Sequence, residues 1–386
     1  MRIIINAITA KNVGGGYQGA LNFIKKTIED KSVEWFYIVS DILDRDLHSY
    51  FENAVGIRYF IFPAQPDFKH SYFKVRKQVR EVEDKVRPDL IYTLLSPSYF
   101  HFKTTEVLRF ANAWITNTNE YCWNSLSVSE TVRMKINQWI QRWVLRDSRY
   151  FITQTETVKQ GIMKMSHLPS NNVKVISNIL PDIYKDFDNS HEDMQDGIVH
   201  IACIGGAMPH KDFRIVPAIV ETLRKEHGIH NIKIHMTLPK ESKIWQQIYS
   251  QLKRQGNENY VQTYGNISQI ELAKIYRKCS ISLMPSLLET FSVSSLESMY
   301  FGMSCVASDF SFYRDVMGNA CLYFAPTSVV EASKQIAIAI NNQEVRENLK
   351  KEAETQLQRF SDYDDFYKQT TDFLQKVVEE NQHSRR

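Results

Sequence analysis

Short apolar runs alternate with longer amphipathic stretches along most of this chain, and that rhythm restricts the fold more than any other feature. Residues 2–8, 35–40, 57–62, 90–94, 114–118 and 150–153 read as buried strands, being short runs dominated by apolar, β-branched and aromatic residues. Between them, residues 17–29, 72–85 and 129–145 carry the spacing of amphipathic helices. Strand–helix alternation of this kind predicts mostly parallel sheets covered on both faces. The rhythm breaks at the polar, acidic stretch 186–197, which reads as a linker or surface loop between domains. It then resumes, with strands predicted at 198–204, 233–237, 261–264, 281–284, 304–307 and 320–324 and a helix at 213–226. Ser268 and Glu271 have the spacing of a capping box opening a helix to Lys278, and Gly302 is placed to stop the helix before it at a left-handed turn.

At 386 residues the chain has room for two such domains, with enough core to need no disulfide or metal. The expected halves are 1–180 and 181–361, followed by a helical tail at 362–386 whose aromatics (Phe366, Tyr367 and Phe373 among them) need a surface to cover. A net charge of +3 is too small to argue for nucleic acid. The five cysteines are scattered and form no C-x-x-C pair, so reduced thiols in a cytoplasmic protein are the expectation. The opening apolar run is too short for a signal-peptide core, and no stretch approaches the length of a membrane span. The segment 69–87 is basic and aromatic, which suits either a solvated helix face or peripheral contact with anionic lipid at the inner face of the plasma membrane.

Three places carry candidate chemistry. Gly14-Gly15-Gly16 follows the first strand and opens a helix, where bare backbone N–H groups favour an anion; the pattern is not G-x-G-x-x-G, so no dinucleotide fingerprint is present. Gly205-Gly206-Ala207-Met208-Pro209-His210-Lys211 ends the first strand of the second half, with Lys211 a point charge suited to a diphosphate. The segment from Pro285 to Glu297 runs from a strand through a loop holding Glu289 into a helix near Val293, so Glu289 can accept from sugar hydroxyls and Glu297 from a ribose. Asp44-Arg45-Asp46 has a D-x-D form but lies in a charged helical stretch, and no histidine pair has metal-ligand spacing, so no metal site is predicted.

Glu289 and Glu297, with seven residues between, resemble the signature of glycosyltransferase family 4. Gly265-Asn266, Glu271-Leu272, Met284-Pro285-Ser286, Leu296-Glu297-Ser298-Met299, Gly302 and Gly318-Asn319-Ala320 follow in that family's order. The resemblance implies an α/β chain of GT-B type, with two facing Rossmann-like domains of parallel strands and an interdomain cleft. It implies a retaining, metal-independent glycosyltransferase without a cofactor, moving a sugar from a UDP- or GDP-linked donor to a glycan or lipid-linked acceptor in cell-surface polysaccharide synthesis. On that basis Glu289, Lys211 and Asn119 are the candidate catalytic residues, and Gly15, Gly16, Gly206, Phe291, Ser292, Val293 and Glu297 the candidate donor-binding ones.

The sequence departs from the family pattern at four positions. Gly206 stands where an arginine is usual, Asn119 lies nearest the slot of a usual histidine, and Thr290 and Ser292 replace glycines. These departures keep two rivals in view: a non-catalytic GT-B subunit supporting a partner transferase, and a GT-B sugar-nucleotide epimerase, against which the paired glutamates argue.

Overall fold

The structure, a computed structural model, describes residues 1–10, 15–54, 56, 58–64, 72–187 and 197–384. It divides into two compact units: residues 1–116, 136–176 and 364–386 form the first, and 117–135 with 177–363 the second.

The first unit is built on a wholly parallel sheet of β1 (Arg2–Ala7), β2 (Glu34–Ser40), β3 (Arg58–Phe62), β4 (Leu90–Thr93), β5 (Glu106–Arg109), β6 (Tyr150–Thr153) and β7 (Val173–Val175), in the order β3-β2-β1-β4-β5-β6-β7. The central strands are buried on both faces, which is why they read as unbroken apolar runs. Strand order reverses between β1 and β4.

Two expectations change here. Residues 114–118 are not a strand: Ala113–Thr116 is a turn of helix, begun by the Asn112 carboxamide oxygen accepting from the Trp114 N–H at 3.2 Å. The sheet position is taken instead by β5, whose two apolar residues lie between Glu106 and Arg109 and carry almost no strand signal. Glu106 is tolerated because the Thr93 hydroxyl donates to it, while burial pushes its carboxyl up to about 7.

The C-terminal helix Tyr363–Ser384 lays its aromatics inside the first unit. The Tyr367 hydroxyl donates to Asp30 at 2.6 Å, Phe366 meets Phe23 edge to face, and the Arg109 guanidinium lies over the Phe366 ring.

The second unit holds β8 (Val199–Cys203), β9 (Ile232–Met236), β10 (Val261–Thr263), β11 (Ile281–Met284), β12 (Ser304–Ser308) and β13 (Cys321–Phe324), all parallel, in the order β10-β9-β8-β11-β12-β13. Its core is a continuous layer around Ile201, Val220, Ile234, Leu283 and Ile336. The capping box at Ser268 is formed, with the Ser268 hydroxyl accepting from the Glu271 N–H and the Glu271 carboxylate accepting from the Ser268 N–H. Gly302 adopts φ 66° after the helix Val293–Tyr300. All five cysteines are free and buried. Strand order reverses between β8 and β11, so the loops leaving those two strands emerge side by side at the sheet's carboxyl edge, where doubly wound sheets hold their ligands.

Candidate functional site

The loop after β8 is shaped by its glycine. Gly205 takes φ 159°, and a Cβ there would come within 2.9 Å of the Phe213 ring, so only glycine lets the backbone lie against that buried aromatic. The Gly205 N–H donates to the Thr237 hydroxyl oxygen at 3.1 Å, which anchors the loop to the strand beside it. A short 3-10 turn, Pro209–Lys211, follows and ends in Asp212 with a left-handed φ of 51°. At Gly206 a Cβ would meet only the tip of Met208 at 3.4 Å, so the position where an arginine was expected has room for a side chain and lacks one.

The loop after β11 docks onto this turn. The Leu287 N–H donates to the His210 carbonyl at 2.7 Å, while the Leu287 and Leu288 side chains are buried. With two leucines anchored inward, Glu289 is set against Lys211, and its carboxylate forms a direct ion pair with the ammonium. The two side chains are 13% and 17% exposed, so the pair is sheltered from solvent screening yet reachable by a ligand.

Asn119 reaches the same loop. Its carboxamide oxygen accepts from the Cys122 N–H at 2.9 Å, capping the helix Glu120–Asn124, and its Nδ2 donates to the Leu287 carbonyl at 2.8 Å. The Leu287 peptide is therefore held at both its N–H and its carbonyl. The 117–135 segment is tied down further by Arg214, whose guanidinium donates to the Ser125 carbonyl at 2.8 Å.

Beyond Glu289 the chain enters the helix Val293–Tyr300 through Phe291 and Ser292, both buried. The Ser292 side chain at the N-cap does not bond the N–H groups of the first turn and instead bonds the Ser294 hydroxyl at 2.8 Å. The N-terminal end of this helix thus offers a partial positive charge at the mouth of the loop. Thr290 and Ser292 are not among the residues with positive φ, so the backbone there does not require the glycines the resemblance led one to expect. Glu297, one turn in, is buried and accepts from the Tyr276 hydroxyl at 2.7 Å. Burial raises its carboxyl pKa, with the Tyr276 and Tyr184 hydroxyls opposing the rise.

Glu289, Lys211, Asn119, Gly206, Phe291, Ser292, Val293 and Glu297 all belong to the second unit. Gly15 and Gly16 belong to the first, and Gly14 lies outside the described residues. Gly15 opens the helix Gly15–Glu29, and a Cβ on Gly16 would press on Leu95 at 3.1 Å, where the Leu95 carbonyl also accepts from the Thr9 hydroxyl at 2.6 Å. Those contacts join the loops at the reversal point of the first sheet, the counterpart of the β8–β11 loops. Asp44 is 3.6 Å from His48 and Asp46 accepts from the Tyr17 hydroxyl at 2.5 Å, and among the described residues no group of three or more His, Cys, Asp and Glu could hold a metal ion.

Three contributors escaped the sequence reading. Tyr276 supports Glu297 from a neighbouring helix. The Leu287 peptide joins the loops through backbone atoms, which no side-chain pattern reports. Asp212, beside Lys211, is buried with Oδ2 lacking a hydrogen bond, and burial lifts its carboxyl to about 7 against the pull of Arg214. His210 is half-buried, and burial lowers its pKa to about 4, the pull of Glu289 upward being outweighed; it is neutral at neutral pH.

Residues 219–356 match the family described as Glycosyl transferases group 1, a stretch that includes Glu289 and Glu297. The O-antigen chain mannosyltransferase RfbU of Salmonella typhimurium is 22% identical over 201 residues, 52% of this chain and 53% of that protein, so the likeness spans about half the length of that relative. Solved structures resemble the chain along nearly its whole length. A glycosyltransferase from Rickettsia africae superposes with a TM-score of 0.72 at 14% identity, covering 98% of both chains. Anabaena Alr3699/HepE in complex with UDP and glucose gives 0.70 at 14% identity, covering 97% of this chain and 100% of that one. The lipopolysaccharide outer core galactosyltransferase WaaB gives 0.66 at 16% identity, covering 98% and 100%. The chain thus has the two-domain α/β GT-B fold, and its second half is similar to the glycosyl transferases of group 1, which supports a glycosyltransferase.

Proposed function

We propose that this protein is a retaining glycosyltransferase that moves a sugar from a UDP- or GDP-linked donor to a glycan or lipid-linked acceptor in the synthesis of a cell-surface polysaccharide. The observation that carries the reading is the Lys211–Glu289 pair, set by the docked loops at the reversal point of the second sheet. The assignment of polysaccharide synthesis draws on the likeness to an O-antigen mannosyltransferase and a lipopolysaccharide galactosyltransferase.

In this reading the donor diphosphate sits against Lys211 and the first turn of the helix Val293–Tyr300, while Glu289 accepts from hydroxyls of the sugar and Glu297 from the ribose. Glu289 also holds the Lys211 ammonium in place until the phosphates arrive. The bond from the anomeric carbon to the diphosphate oxygen breaks, and the bond to the acceptor oxygen forms on the same face of the sugar. The acceptor's proton passes to the departing diphosphate, so no protein nucleophile takes part. The charge growing on the leaving group is met by Lys211 and by oriented N–H dipoles. That supply of positive charge lets the reaction proceed without a divalent cation. Asn119, engaged at both ends of its carboxamide, acts by positioning the Leu287 loop rather than by touching the sugar.

The test is nucleoside diphosphate release from a panel of UDP- and GDP-sugars, with and without a chelator, by the wild type beside Glu289→Ala and Lys211→Ala. Release from one donor, lost in both variants, supports the reading and names the donor. A second reading, a non-catalytic subunit, draws on Gly206 and on the internal commitment of Asn119; a folded protein that neither binds nor cleaves any donor establishes it over the first.

A further inference from the structure

The helix Val128–Leu145 is docked the wrong way round for a helix on a water-soluble surface. Such a helix ordinarily turns its apolar stripe inward. Here Leu145 at the C-terminal end packs into the core beside Phe110, Ile115 and Phe151, but the rest of the helix is held by polar contacts: Gln138 donates to the Trp114 carbonyl at 2.6 Å, Gln141 bonds Asn112 and Tyr99, and Arg142 donates to the Ile115 carbonyl at 2.9 Å. Val128, Val132, Ile136, Trp139, Ile140 and Trp143 are left exposed, Val128 at 83% and Trp139 at 69%. They are six of the fourteen large apolar side chains exposed among the described residues. At 100° per residue these six fall within an arc of about 120°, so they form one stripe, roughly 22 Å long.

Cations border this stripe. Arg133 lies on one side of it and Lys135 on the other, both exposed. Just past the helix end, the Arg146 guanidinium lies over the Trp143 ring at 4.7 Å. Of the nearby acids, Glu130 accepts from the Ser127 hydroxyl, and Asp147 forms an exposed ion pair with Arg146, weak enough for a lipid phosphate to compete for the guanidinium. Two tryptophans, whose rings join an apolar body to a polar N–H, aliphatic neighbours and a basic border are what a bilayer interface of negative charge accommodates. Among the described residues no helix is long and apolar enough to cross a membrane, so the helix would lie in the interface plane.

We infer that the exposed stripe of the helix Val128–Leu145 is a docking surface for an anionic lipid bilayer, with Trp139 and Trp143 entering the headgroup region and Arg133, Lys135 and Arg146 meeting lipid phosphates. The basic segment noted in the sequence at 69–87 differs: Lys69 and His70 lie outside the described residues, and the helix Tyr72–Val86 buries its valines and exposes Phe73 as its large apolar side chain. This surface is independent of the proposed transfer reaction, and its test reads partition rather than activity.

The test is co-sedimentation of the full chain with vesicles of phosphatidylcholine alone or mixed with phosphatidylglycerol, together with light scattering of the free protein. Wild type is expected to sediment with the mixed vesicles and to be released by high salt. Trp139→Ser with Trp143→Ser is expected to lower that partition at least about tenfold, and Arg133→Gln with Arg146→Gln to remove the preference for the anionic mixture. All four side chains are exposed, so circular dichroism should show an unchanged fold. Failure of the wild type to sediment, or equal sedimentation of wild type and the tryptophan pair, overturns the inference. So does a wild-type dimer dispersed by the same tryptophan substitutions, which assigns the stripe to a second copy of the chain.

Discussion

The Lys211 ammonium and the Glu289 carboxylate meet directly, although they belong to loops that leave different strands of the second sheet. Each neutralises the other in a setting largely closed to water, so removing either leaves a poorly solvated charge as well as a gap in the proposed donor site. Lys211→Ala and Glu289→Ala are each expected to lower donor turnover at least about 100-fold, the loss typical of one oriented group facing developing charge. The double variant should lose less than the sum of the two, because the residues act as a unit. Product release rates across the four proteins, measured with the fold verified, check this.

Asn119 separates its two tasks cleanly. Asn119→Asp keeps an oxygen to cap the helix Glu120–Asn124 but no longer donates to the Leu287 carbonyl, whereas Asn119→Ala loses both. The alanine variant is expected to cost about 1–2 kcal/mol of stability in denaturant titration, the usual scale for a lost cap plus one hydrogen bond. The aspartate variant should slow turnover with little change in donor affinity. An Asn119→Asp protein with wild-type turnover would show that the Leu287 loop needs no such support.

Tyr276 supports Glu297 from inside the unit. Tyr276→Phe removes the hydroxyl that the buried carboxyl accepts from, at an expected cost of about 1–3 kcal/mol. In the proposed site it also raises the KM for the donor more than it lowers kcat, since a ribose contact serves binding. Thermal melts and initial rates over a range of donor concentrations test both halves.

The Asp212 carboxyl, held up to about 7 by burial against the opposing Arg214, carries a pH signature. An unfolded aspartate titrates near about 3.9, so between those values the folded chain keeps a proton that the unfolded chain has lost. Its contribution is fully present below about pH 4 and is lost as the pH rises through about 7. Asp212→Asn keeps a residue that tolerates the left-handed backbone and removes the charge, so it should leave stability nearly unchanged near pH 4 and raise it by up to about 4 kcal/mol near pH 8. Urea midpoints at the two pH values decide the matter.

What the sequence made readable was whatever fits in a short window. The strand Ile281–Met284 announces itself by three apolar residues in four, and the Ser268–Glu271 capping box needs only four residues to be recognised. The strand Glu106–Arg109 does not, because its charged ends outweigh its two apolar residues, and the more apolar run at Trp114 has the stronger strand signal. Glu289 and Lys211 could be nominated from their neighbours in the chain. The bond from Asn119 to the Leu287 carbonyl could not, since one partner is a backbone atom and nothing in a leucine's identity marks it. The stripe at Trp139 shows the complementary limit: helical spacing reveals that a face is apolar but not whether anything covers it.

The doubly held Leu287 peptide also bears on the order in which this chain becomes competent. Its bond to Asn119 joins positions 168 apart in sequence, whereas each strand of the second sheet can add to a growing neighbour. Closing so long a loop carries an entropic cost that only a largely assembled partner surface can offset. A folding intermediate with the six-stranded sheet complete, but with residues 117–135 not yet seated, would have the core of the second unit and a Leu287 loop without its Asn119 bond. On that order of assembly, slowing the seating of residues 117–135 would delay the Asn119 bond to the Leu287 loop without delaying the formation of the sheet.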